Sequence, residues 1–74
     1  MSMKGWVTPK HITHYREMVF DELRRRGFDA TEAQKVVAAT GFEQALTEYP
    51  EVQLLVDPRD AVNEILVVAL KKLL

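Results

Sequence analysis

Apolar residues return every third or fourth position along most of this chain, and capping residues, glycines and prolines punctuate the returns. The first helix is announced at Thr8-Pro9, an N-cap residue followed by a proline at the first helical position, where its missing N–H is harmless. Val7 and Ile12 occupy the two positions of a hydrophobic staple. Ile12, Tyr15, Val19 and Leu23 continue the stripe, which Met18 and Phe20 widen. Arg24, Arg25 and Arg26 fall in the last turn, where cations suit the negative end of the helix dipole, and Gly27 is placed to end it.

A second helix is expected from Asp29, with Asp29 and Glu32 at capping-box spacing, Phe28 packing back on Ala33, and Ala33, Val36, Val37 and Thr40 on one face. Gly41 ends it. Thr40 and Glu43 repeat the capping-box spacing for a short third helix in which Phe42, Ala45, Leu46 and Tyr49 share a face, and Pro50 stops it. Residues 51–56 alternate at Val52, Leu54 and Val56. A single strand would leave its backbone groups unpaired, so they are expected as an extended or turn-like connector, with pairing to the same segment of another subunit as the lesser option.

The last helix opens at Asp57-Pro58 and keeps Asp60 and Glu64 toward its start and Lys71 and Lys72 at its end, in accord with the dipole. Val62, Ile65, Leu66, Ala69 and Leu73 make one stripe. Ala61, Val67, Val68, Leu70 and Leu74 lie largely outside it, where a surface helix should be polar. The pattern therefore predicts an all-α fold: a small compact bundle of three longer helices plus one short helix, dimerising through the C-terminal helix. Residues 1–7 read as an N-terminal tail and 8–74 as a single helical domain.

Length and composition sharpen this. A chain of 74 residues buries about 60% of its unfolded surface and gains only a marginal core, so domains of this size lean on disulfides, a metal or self-association. There is no cysteine, which removes disulfides and thiolate metal sites. Leaving several large apolar side chains of the last helix in water would forgo several kcal/mol, at about 1.5–3 kcal/mol for each one fully buried. That is comparable to the whole stability of a small fold. A symmetric homodimer through Val67, Val68, Leu70 and Leu74 is the favoured explanation. A protein partner whose groove takes this helix comes second, and complete coverage by the first helix and the Trp6 tail third.

Candidate chemistry is sparse. His11 and His14, with Glu17 and Met18 further along, sit at helical spacing that could share a metal, but no fourth ligand is implied and two histidines at the edge of an amphipathic helix explain it. No metal or cofactor is expected. Ser2 is the one serine, Gly5, Gly27 and Gly41 are isolated rather than a phosphate loop, and every carboxylate is expected as a cap, a dipole partner or part of a solvated face, so an enzyme is not expected.

The net charge of −1 gives no general attraction to nucleic acid. Residues 1–35 hold seven Lys/Arg against five Asp/Glu, and residues 36–70 one against six. A helix-turn-helix over the second and third helices would read DNA with Glu43 and Glu48 and no cation, which is the wrong charge. Arg24, Arg25 and Arg26 remain as possible phosphate contacts, giving a nucleic-acid-associated regulator as the alternative. The longest apolar run, Ile65 to Leu70, is far short of the roughly 20 residues of a membrane span, and the N-terminus lacks a signal-length apolar run, so a cytoplasmic protein is expected.

Arg26-Gly27-Phe28, followed by Glu32-Ala33 and Val36 to Thr40, resembles the opening of a ubiquitin-associated three-helix domain over about residues 19 to 49. That family carries an apolar residue, often Met, before Gly-Phe, where Arg26 stands here, and the long last helix has no counterpart in its pattern. The resemblance implies a shared local solution to helix–turn–helix packing. The overall reading is a non-enzymatic interaction or regulatory module that self-associates through its last helix.

Overall fold

Each helix boundary in the computed structural model, which describes residues 7–73 apart from the side chain of Leu73, is set by a local hydrogen-bonding device. The order is α1 (Pro9–Arg25), α2 (Ala30–Thr40), α3 (Phe42–Glu48), α4 (Pro50–Gln53) and α5 (Pro58–Leu73), with no strand among the described residues. Thr8 caps α1, its hydroxyl accepting from the His11 N–H at 3.3 Å, while Val7 is buried and Ile12 half-buried. At the other end Gly27 takes φ of 102°. Its N–H donates to the Arg24 carbonyl at 3.0 Å and that of Phe28 to Leu23 at 3.2 Å, a Schellman closure that lays Phe28 on the core.

The capping box of α2 is complete. The Glu32 N–H donates to Asp29 Oδ1 at 2.8 Å, and the Asp29 N–H donates to Glu32 Oε1 at 3.0 Å. The second box expected from Thr40 and Glu43 does not form. Thr40 is instead the last residue of α2, its hydroxyl donating to the Val37 carbonyl at 2.9 Å, and Glu43 is held by Arg16. Gly41, at φ of 74°, ends α2 and starts α3 in one left-handed step that a residue with a Cβ adopts only under strain.

Of the two forms expected for the connector over residues 51–56, the turn-like one is found and neither the extended one nor a strand. Pro50–Gln53 form a helical turn within it, so the described residues hold five helices rather than four. Pro50 does end α3, pushing Tyr49 to φ −131° and ψ 55°. A proline's fixed φ also suits the first position of a helix, and Pro50 opens the next turn at once. Leu54, Leu55 and Val56 then donate to the carbonyls of Pro50, Val52 and Gln53, satisfying locally the backbone that a lone strand would leave unpaired. Because the chain turns at Tyr49, that ring leaves the face shared by Phe42 and Leu46 and stands exposed.

The core lies where α5 packs on both α1 and α2, and Val19, Leu23, Leu46 and Val62 are its largest fully buried side chains. Contact with two helices widens the buried face of α5 beyond one stripe. Ala61, expected outside that stripe, is therefore buried with Val62, Ile65 and Ala69. Asp57 caps α5, its Oδ1 accepting from the Arg59 N–H at 2.8 Å. No helix of the described residues is long and apolar enough to cross a membrane.

Candidate interaction surface

Three long-range polar ties lock the helices together, two of them at α5 and its approach. The Tyr15 hydroxyl donates to the Val56 carbonyl at 2.8 Å and accepts from Gln53 Nε2 at 3.3 Å, while its ring stacks on Phe42 with centroids 6.2 Å apart. Burial pushes the Tyr15 hydroxyl above its usual value; the Gln53 hydrogen bond opposes this and the nearby Asp57 charge adds to it. Arg16 grips Glu43 through Nε at 3.0 Å to both carboxylate oxygens, pinning α1 to α3. Arg26 reaches from the end of α1 to Asn63 Oδ1 at 2.6 Å and the Arg59 carbonyl at 3.4 Å, with its Nε on Glu22 at 3.0 Å. Glu22 is a buried carboxylate satisfied by Arg26 and, at 3.3 Å, by Arg25.

With α5 held this way, its helical twist decides what it shows to solvent. At about 100° per residue, Val67 stands nearly opposite the buried Val62 and Ile65, and Leu70 shares its outward side. Val67 is 53% exposed and Leu70 61%. Val68 is turned about 100° from Val67 and is less open, at 36%. It borders a groove of about 220 Å³ whose lining mixes the apolar Phe42, Ala45, Val56 and Ile65 with the polar Gln53 and Glu64. The candidate interface residues thus occupy two faces: Val67 and Leu70 point outward, Val68 faces the groove beside α3. Leu74 and Trp6 lie outside the described residues.

The arginine cluster is divided in a similar way. Arg26 is committed to Glu22 and Asn63, Arg25 pairs with Glu22 while remaining mostly in water, and Arg24 is exposed. Arg26 also stands where the ubiquitin-associated pattern has an apolar residue, and here it closes α1 onto α5 instead. His11 Nδ1 lies 3.1 Å from the Thr8 hydroxyl, and His14 is exposed. Among the described residues no group of three or more His, Asp or Glu is placed to hold a metal ion.

Periodicity alone missed some of these features. The long-range pairs Tyr15–Val56, Arg16–Glu43 and Arg26–Asn63 leave no mark in the spacing of apolar residues. The one available hint was Tyr15 itself, since a tyrosine on a core stripe needs a partner for its hydroxyl. A second exposed apolar group, Tyr49, Val52 and Leu55 around α4, follows from the helical form that this turn takes. Comparison of the chain with protein-family models, curated proteins and solved structures gives no match.

Proposed function

We propose that this protein is a non-enzymatic association module that self-associates through the outward face of α5. The observation that carries the reading is the pairing of a filled core face, Ala61, Val62, Ile65 and Ala69, with an opposite face on which Val67 and Leu70 stand more than half exposed. Two large apolar side chains one turn apart on an exposed helix face gain about 1.5–3 kcal/mol each when fully buried. A two-fold contact buries each of them in both copies, so a small patch is used twice. A 74-residue chain without cysteine gains most from such an addition.

Sedimentation equilibrium on Val67→Glu, Leu70→Glu and Val68→Glu tests the assignment. Each is expected to keep the helical content of the wild type. The first two are expected to weaken self-association by at least tenfold, because each would bury a carboxylate without a partner in both copies. Val68→Glu, on the groove side, is expected to leave association nearly unchanged. Unaltered association in Val67→Glu and Leu70→Glu would overturn the reading.

A further inference from the structure

The outward face of α5 carries a charge pattern as well as an apolar one. Asn63, Val67 and Leu70 follow at steps of four and three, and the sequence continues with Leu74 four further on, outside the described residues. This is the seam spacing of a two-helix coiled coil. Glu64 and Lys71 are seven residues apart, so they flank that seam on the same side, and both are exposed. Among the described residues neither side chain takes part in a salt bridge.

We propose that a second copy of this chain lies antiparallel along this seam, with Glu64 of each copy paired to Lys71 of the partner subunit. The inference rests on the self-association proposed above and adds its direction. A two-fold axis perpendicular to the helices sets one flank of α5 against the same flank of its mate with the chain direction reversed. Two residues of opposite charge at that spacing then meet crosswise, twice per dimer. Val67 packs beside Leu70 of the partner subunit in the same arrangement.

A parallel pair fits these residues less well. It would align the two helix dipoles and place Asp60, three residues before Asn63 on the same seam, against its own copy. It would also offer Glu64 the Arg59 of the partner subunit, a side chain whose Nε already lies 3.6 Å from Asp57 in its own chain. Exposed pairs of this kind set direction and partner choice more than strength.

Because the chain has no cysteine, Arg59→Cys places a single spin label at the start of α5. In an antiparallel dimer centred between Val67 and Leu70, the labels stand about 30 Å apart by pulsed electron resonance; a parallel dimer brings them within about 20 Å. A companion measurement follows dimer dissociation in Glu64→Lys, Lys71→Glu and the double swap. Each single change is expected to raise the dissociation constant several-fold at low salt, and the double swap to restore it. In a parallel pair the double swap would not restore it, since Glu64→Lys would set a cation against Arg59. A wild-type dimer with the short label distance, or with an unrestored double swap, overturns the antiparallel arrangement and leaves self-association standing. A wild type that stays monomeric overturns both.

Discussion

The hydroxyl of Tyr15, in the middle of α1, donates to the backbone carbonyl of Val56 at 2.8 Å, joining positions 41 residues apart at the entry to α5. Together with the bond accepted from Gln53, it holds the α4–α5 turn against the first helix. Tyr15→Phe keeps the ring on Phe42 but leaves the Val56 carbonyl and the Gln53 amide without this partner. The expected loss is about 1–2 kcal/mol. Thermal unfolding should then fall by about 4–8 °C per kcal/mol for a chain of this size.

The same tyrosine sets an alkaline limit. Its folded-state pKa is raised, chiefly by burial, so the folded protein favours the protonated hydroxyl more than the unfolded chain does. That contribution is fully present below the unfolded value of about 10 and is lost as pH rises through the higher folded value. Wild type and Tyr15→Phe should therefore converge in stability above about pH 10, followed by chemical denaturation at a series of pH values. A constant difference between them across that range would show that Tyr15 does not titrate with unfolding.

Arg25 and Arg26 contact the same carboxylate with unequal consequences. The side chain of Glu22 is 12% exposed, and Arg26 is its inward partner as well as its link to Asn63. Arg26→Ala leaves that carboxylate poorly satisfied and is expected to destabilise by about 1–3 kcal/mol. Arg25, with its side chain 76% exposed, contributes a surface pair, and Arg25→Ala should change stability by about 0.5 kcal/mol or less. Equal effects of the two in urea unfolding would remove Arg26 from its assigned role.

Gly41 joins α2 to α3 at φ of 74°, and a Cβ added there would meet nothing within 4 Å. The penalty for Gly41→Ala is therefore backbone strain alone, about 1–2 kcal/mol. Gly41→Asn should lose less, because asparagine enters the left-handed region more readily. Denaturation midpoints of the two variants check the order.

How much of this was legible in the sequence follows from the range of each interaction. Thr8, the Asp29–Glu32 box and Gly27 act within a few residues, and their spacing alone places the ends of α1 and the start of α2. The all-helical class follows from the same signals. Pro50 was legible as a stop but not as a start, because both roles come from one fixed φ and the choice depends on whether the next residues find local hydrogen-bond partners. Ala61 is buried although it lies outside the single stripe, because the width of a buried face depends on how many helices cover it. Val67 and Val68 are neighbours in sequence, and only the orientation of α5 against α1 and α2 separates the outward side chain from the one beside the groove. Arg26 is distinguished from Arg24 and Arg25 by Asn63, a partner 37 residues away that local spacing does not reveal.

The solution mass of the wild-type chain decides whether the outward face of α5 is an association surface between copies. Light scattering over a rising concentration series should move from the 8.5 kDa of one chain to twice that mass and stop there, as a closed two-fold pair requires. A mass that stays at one chain throughout the series would contradict it.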